Sequence, residues 1–340
     1  MSQTDSSRNQ DVLVEAIDLK KYYAIGSSIL DQLFGMKAEY VHAVDTVSFN
    51  IRKGEAFGLA GESGSGKSTI GRLVIGLEQP TSGRVLFDGI DLGNLKSEEL
   101  RRLRRRMQVI FQDPMASLNP RMTLGESVSH GLRIHYPERA DEIRDVTMAM
   151  FDKVGLTPPK YFYNKYPHQI SGGQRQRVVI ARALITQPDL VLADEPIAMA
   201  DVSVRTLLLD LMIRLKKEFN LTYLFITHDL ATAKYICDRI CILYLGKICE
   251  LGNLREVYAN PLHPYTQALM AAVPVPNPHK RRTTPLPEGE IPNPIHPPSG
   301  CRFHPRCSLA AEVCSREEPL LRELKPGHWT ACHFGENFIG

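Results

Sequence analysis

Four short apolar runs punctuate the chain: residues 56–61 (AFGLAG), 107–112 (MQVIFQ), 189–194 (DLVLAD) and 222–227 (TYLFIT). Their length and β-branched or aromatic content predict buried strands, and each is followed by turn chemistry and a longer helical pattern. That alternation predicts βα units around a largely parallel sheet. An earlier segment, Tyr22 to Phe49, carries SSILDQLFGM inside it and predicts an antiparallel region with an inserted hairpin or helix. There is no internal repeat and no heptad array.

The chain has 340 residues, enough for two domains or one large domain with an appendage. With 43% hydrophobic and 23% charged residues it is not a disordered chain. A net charge of +3 argues against a dedicated nucleic-acid binder. The basic run RRLRRR (101–106) is bracketed by leucines at helical spacing, so we read it as a solvated face. No apolar run approaches the roughly 20 residues that cross a bilayer. The polar, acidic start lacks the features of a signal peptide, so a cytosolic protein is expected.

The 23 prolines and 7 cysteines change the picture, because neither is evenly spread. Nine prolines fall between Pro274 and Pro298, and four cysteines between Cys301 and Cys332. The expected division is a body at 1–273, an extended Pro-rich linker at 274–299 and a Cys-rich tail at 300–340. A tail of that size is too short to build a core alone.

Residues Gly61-Glu62-Ser63-Gly64-Ser65-Gly66-Lys67-Ser68 match the P-loop pattern, between a strand and the helical run STIGRLVIGL. Glycines let backbone amides turn in around phosphate oxygens, and the helix N-terminus adds its positive end. Lys67 would reach the β- and γ-phosphates and Ser68 would coordinate Mg²⁺, with Thr69 following in the first turn. A second carboxylate-bearing strand ends in Asp194-Glu195. Asp194 would hold the Mg²⁺ shell, and Glu195, one residue further, would polarise the attacking water.

Ser171-Gly172-Gly173-Gln174, ahead of RQRVVIARAL, is a second glycine-rich helix start and hence a second anion site. One nucleotide already has its P-loop, so a second such site suggests phosphate bound from a partner subunit. A P-loop, then SGGQ about 105 residues on, then Asp-Glu about 20 beyond, resembles the ATP-binding subunit of ABC transporters. The resemblance spans nearly the whole chain. It implies an α/β P-loop NTPase of the ABC ATPase type: a mixed core sheet, an antiparallel β region, a helical subdomain near 115–185, and here a small C-terminal cysteine-containing extension.

The resemblance also implies roles. Gln112 matches the loop glutamine that contacts Mg²⁺ and senses the membrane subunit. His228 matches the switch histidine beside the γ-phosphate, although His228-Asp229 also reads as an ordinary helix-cap pair. Asp201 matches the aspartate at the dimer interface, and Tyr23 an aromatic that stacks on adenine, with Tyr22 as its neighbour. The chain departs from the family after Glu195-Pro196: Ile197-Ala198-Met199-Ala200-Asp201 stands where Thr-Ser-Ala-Leu-Asp is usual. Two hydroxyls are lost beside the expected catalytic glutamate.

NPLHPYTQALM (260–270) resembles the His-Pro-Tyr signature of the oligopeptide/dipeptide branch. In some members of that branch, cysteines such as Cys301, Cys307, Cys314 and Cys332 are linked to a [4Fe–4S] cluster. Their spacing matches neither a ferredoxin run nor a zinc ribbon, so zinc and free or disulfide-linked thiols stay open. With zinc, His304, His328 or His333 could substitute as ligands. Cys237, Cys241 and Cys249 read as buried core.

The function implied is an importer ATPase on the cytoplasmic face of the membrane, without a transmembrane segment of its own. ATP closes a dimer with a second ABC ATPase, a paralogue or the chain itself, and hydrolysis powers peptide uptake through two permease subunits fed by an extracytoplasmic binding protein. Oligosaccharides or other solutes are alternative cargo. The rivals are an ABC ATPase acting on DNA or ribosomes, and a non-hydrolysing regulatory or redox-sensing subunit.

Overall fold

The computed structural model describes residues 11–26, 39–273 and 289–339. The expected insert SSILDQLFGM and most of the Pro-rich linker lie outside them. Two compact units emerge: one of residues 1–51, 57–93 and 227–340, the other of residues 52–56 and 94–226.

The first unit holds an antiparallel sheet in the order β2-β1-β4-β5, from β1 (Val12–Ile25), β2 (Glu39–Arg52), β4 (Ser82–Phe87) and β5 (Ile90–Asp91). The antiparallel region thus begins ten residues before Tyr22. Its first strand pairs with distant β4, Val14 opposite Phe87, a partnership that local pattern does not reveal. A second set of strands is built around β3 (Ala56–Ala60), all five of whose residues are buried. β3 runs parallel to β9 (Arg239–Tyr244), which turns back antiparallel into β10 (Lys247–Asn253). β10 then takes up the C-terminal hairpin of β11 (Arg322–Lys325) and β12 (His328–Thr330), with Glu250 opposite Thr330.

Mid-strand Glu250 is wholly buried and satisfied: it accepts the N–H groups of Leu262 (2.8 Å) and His263 (2.9 Å) and meets His328 Nε2 at 2.7 Å. Burying a carboxylate is costly without such partners. The tail is therefore tied to β10 by strand pairing and by this buried knot. His328 spends one ring nitrogen there, its Nδ1 has no hydrogen-bond partner among the described residues, and it is not among the residues that line the cysteine cavity.

The second unit stacks β6 (Met107–Ile110), β7 (Leu190–Asp194) and β8 (Thr222–Thr227) in parallel. β8 is buried at every position, as parallel strands covered on both faces are. Its helices include α2 (Ser97–Leu103), α4 (Leu124–His135), α5 (Ile143–Lys153), α7 (Gly172–Leu184) and α8 (Val202–Phe219), with the short α3 (Pro114–Ser117) and α6 (Pro159–Tyr163) between them. α4 starts with a reciprocal cap, Thr123 accepting from the Glu126 N–H and Glu126 from the Thr123 N–H. In the basic run, Arg101 and Arg102 pair with Glu98, and Arg106 with Asp189. Much of its charge is answered by neighbouring acids. Among the described residues no helix is long and apolar enough to cross a membrane.

Candidate active site

In the first unit the chain leaves β3 and winds through Gly61–Gly66 into α1 (Lys67–Val74). Gly61 and Gly66 have φ of +150° and +101°. A Cβ on Gly61 would lie 2.2 Å from the Leu243 carbonyl oxygen, and one on Gly66 2.3 Å from that of Ala43. Only glycine fits at either point. Gly64 (φ +77°) has open space beside it and is exposed with Ser63 at the loop tip. Lys67 is buried, its ammonium donating to the Gly61 and Glu62 carbonyls, both at 2.8 Å, and to Ser65 Oγ at 3.3 Å. Ser68 and Thr69 follow, half-buried, in the first turn. The N-cap, Gly66, offers no side-chain cap, so the helix start presents its amides to the loop's own hollow.

Tyr23 on β1 is half-buried, its hydroxyl bonded to Glu78. Burial, together with that carboxylate, raises its pKa, while a hydrogen bond with Thr69 lowers it, which sets the ring beside the first turn of α1. Tyr22 instead bonds Asp45 at 2.8 Å and packs against His42, their tilted rings 4.2 Å apart. His228 is exposed just past β8. Asp229 caps α9 (Leu230–Ile236), accepting from the Ala231 N–H and the Thr232 hydroxyl.

The other unit brings Gln112 and Glu195 together: Gln112 Nε2 donates to Glu195 Oε2 at 3.1 Å. Asp194 ends β7 opposite Ile226, and Glu195 takes φ +46° while its N–H donates to the Ile226 carbonyl at 3.0 Å. A left-handed non-glycine residue at a strand end redirects the chain at the carboxylate. After Glu195 the unusual loop buries Ile197 and exposes Met199. Buried Gln176 on α7 donates to the Pro196 carbonyl, and Arg205 Nε to that of Ala200. α7 therefore holds the loop that follows Glu195, a tie sequence reasoning missed. Asp201 is the exposed N-cap of α8. Ser171 and Gln174 form a reciprocal cap at the start of α7, with exposed Gly172 beside them; a Cβ on Gly173 would lie 2.9 Å from Val204.

In the tail, Cys301, Cys307, Cys314 and Cys332 line one small cavity of about 20 Å³ with His304, His333 and Phe303. Burial pushes the Cys301 thiol up to about 11 and raises Cys307 and Cys332. The donor set suits a soft metal centre, but among the described residues no group of three or more His, Cys, Asp or Glu is placed to hold a metal ion. The expected cluster is thus unsupported by the spacing of these side chains. Cys237, Cys241 and Cys249 are buried. Cys249 also feels Cys301 and Cys332, so it lies next to the tail cysteines.

The expected elements also occur in known proteins. The family model described as ABC transporter matches residues 44–198, and that of the oligopeptide/dipeptide transporter C-terminal region matches residues 249–314. The chain is 47% identical over 332 residues to the Bacillus subtilis oligopeptide transport ATP-binding protein AppF, covering 96% of this chain and 99% of that protein. It is 46% identical over 318 residues to Escherichia coli OppF, of the same description, covering 93% and 94%.

The chain belongs to the ABC transporter ATP-binding subunits of the oligopeptide/dipeptide type.

As an ABC ATPase it hydrolyses ATP in coupling to transport. Among solved structures, the ATP-binding cassette MJ0796, a dimer bound to ADP and Pi after hydrolysis, is 32% identical with a TM-score of 0.62, covering 72% of this chain and 99% of that one. Clostridium perfringens cbiO1, part of an ABC transporter complex, is 29% identical with a TM-score of 0.63, covering 73% and 91%.

The ABC ATPase carries one contact set that its motifs did not announce. Arg306, inside CRFHPRC, grips P-loop Glu62 with both terminal guanidinium nitrogens, at 2.7 and 3.2 Å. Tyr265 of the His-Pro-Tyr signature accepts the Glu62 N–H at 2.9 Å. The signature was visible in sequence, but its partner on the P-loop was not.

Proposed function

We propose that this ABC ATPase drives an importer of di- and oligopeptides from the cytoplasmic face, with two separate permease subunits and a second ATPase chain, favoured as a related paralogue. The observation that carries the nucleotide half is the glycine-only cradle closed around buried Lys67. The cargo half rests on the names of the relatives and on the matching C-terminal region.

In this reading Lys67 exchanges the Gly61 and Glu62 carbonyls for β- and γ-phosphate oxygens, and loop amides bind the rest. Ser68, Gln112 and Asp194 would hold Mg²⁺, whose contribution would be to neutralise developing phosphate charge. Glu195, adjacent to Gln112, takes the proton of the attacking water. His228 steadies the γ-phosphate and Tyr23 stacks on the base. Ser171, Gly172, Gly173 and Gln174 of a partner chain close over the phosphates, with Asp201 at that interface.

Glu195→Gln tests the motor directly. ATP binding should persist while steady hydrolysis by the assembled transporter falls about 10²–10⁴-fold, the range for losing a general base. Equal rates in parent and variant would refute it and favour a non-hydrolysing regulatory role. Uptake of labelled peptides and oligosaccharides by the same assembly would decide the cargo.

For the tail we propose a [4Fe–4S] cluster on Cys301, Cys307, Cys314 and Cys332. Its support is only that all four line one small cavity; the thiols would have to close in further to ligate, since no three of them are placed to hold a metal ion. No step of the hydrolysis above passes through it. Anaerobic purification should yield about four iron and four sulfide per chain; stoichiometric zinc, or neither, would reject the cluster.

A further inference from the structure

Glu62 is held at three points. Its N–H reaches the Tyr265 hydroxyl, its carboxylate receives the Arg306 fork, and its carbonyl accepts from Lys67. The first two grips come from C-terminal elements of the same unit. The Arg306 side chain is only 9% exposed and that of Glu62 27%. Arg306 also donates to the Tyr244 hydroxyl at 3.3 Å. Behind the grip, Tyr244, Tyr265 and Phe303 pack ring against ring at 4.8–5.3 Å. His263 Nδ1 caps α11 (Pro264–Ala272) by accepting the Tyr265 N–H at 3.0 Å, so the signature fixes the tyrosine that reaches the loop.

The third grip competes with ligand binding, because Lys67 spends its three N–H groups on Gly61, Glu62 and Ser65. Lys67 cannot bond the Glu62 carbonyl and a phosphate with the same N–H. Once it turns to phosphate, Glu62 depends on Tyr265 and Arg306 to keep the loop from collapsing or opening. A planar bidentate fork fixes orientation as well as distance, which a single ammonium does not.

We propose that Arg306 is a positioning residue of the nucleotide site: its fork on Glu62, backed by the Tyr265 hydroxyl, holds the P-loop in its phosphate-receiving shape. The tail is thereby part of the ATP-binding apparatus. This rests on the reading that the P-loop binds ATP.

The experiment titrates the full chain with a fluorescent N-methylanthraniloyl ATP and measures thermal unfolding on the same samples. Arg306→Gln and Glu62→Gln should each weaken binding about 10- to 100-fold, because each leaves a half-buried charge without its partner. Arg306→Lys should fall between, and exchange of the two charges (Glu62→Arg with Arg306→Glu) should recover part of the loss. Tyr265→Phe, which removes only the hydroxyl, should cost several-fold and guards against variants that fail to fold. In the assembled transporter the KM for ATP should rise more than kcat falls. Parent-like affinity in folded Arg306→Gln and Tyr265→Phe overturns the inference while leaving the site reading intact. A parent chain that does not bind the probe overturns the site reading itself.

Discussion

The molecule contains two glycine-rich helix starts that look alike in sequence and differ in structure. At Gly61–Lys67 two glycines stand where a Cβ would strike backbone oxygen, the N-cap has no side chain, and a buried ammonium lies in the loop. At Ser171–Gln174 neither glycine takes a positive φ, Gly172 has nothing nearer than 3.9 Å, and Ser171 and Gln174 cap each other. The first is a receptor built by its own unit, with its amides left for a ligand. The second has already satisfied part of its orphan N–H set, and its exposed edge suits a surface completed by another molecule. The two anion sites read from sequence, the second already expected to meet a partner's phosphate, are thus built differently, and under the proposed function they serve as cradle and lid.

Gly66→Ala should break the comparison most strongly. Left-handed strain of roughly 3 kcal/mol, with the added clash against the Ala43 carbonyl, predicts at least about 100-fold weaker ATP binding by the single chain. Gly172→Ala fits its site and gains helix propensity, so binding and melting temperature should stay at or slightly above the parent. If hydrolysis by the assembled pair nevertheless falls, the lid role is confirmed. Equal losses of single-chain binding in the two variants would erase the distinction.

The cradle was legible because spacing alone demands it. AFGLA, LVLAD and TYLFIT were legible as strands because parallel strands buried on both faces leave unbroken apolar runs. What stayed hidden was long-range and polar. Glu62 and Arg306 are separated by 244 positions, and neither carries a local signal of the other. Glu250 within KICELGN carries no local sign of burial, yet it is fully buried, with three partners converging on it from 12 to 78 positions away. Pattern reports which face is apolar; it does not report which polar group has found a partner.

Acid should separate the two helix starts by another route. His263, buried and hydrogen-bonded toward the Ala331 backbone, has its pKa pushed down by burial to about 4. The charged and titratable groups around it are the Glu250 carboxylate on its own N–H, His328 beyond that, and the tail cysteines across the small cavity. A folded value below the unfolded one means the unfolded chain binds the extra proton first. His263 therefore contributes fully above pH ~6.5, and its contribution, about 3 kcal/mol at most, is lost as pH falls toward 4. Protonation also removes the Nδ1 acceptor that caps Tyr265. His263→Asn keeps a capping oxygen without the titration. Chemical unfolding of both chains between pH 4 and 6.5 should show a shallower acid loss in the variant, and parallel curves would refute this.

The smallest effect tests the lid's own cap. Ser171→Ala deletes the oxygen that accepts the Gln174 N–H at 3.3 Å, and it frees Gln174, whose side chain now returns to the Ser171 N–H at 3.0 Å. Loss of an N-cap costs about 1 kcal/mol, and both groups are exposed, so water replaces part of what is lost. α7 should fray only in its first turn, since Gln176 further along still anchors it to the Pro196 carbonyl. Hydrogen exchange should speed up at the Gly173 and Gln174 amides and remain unchanged beyond Arg177. Single-chain ATP affinity should not move, because the cradle draws none of its bonds from Ser171. Were affinity to fall with the cap, the two helix starts would be coupled within one chain, and lid and cradle could not be treated as separate devices.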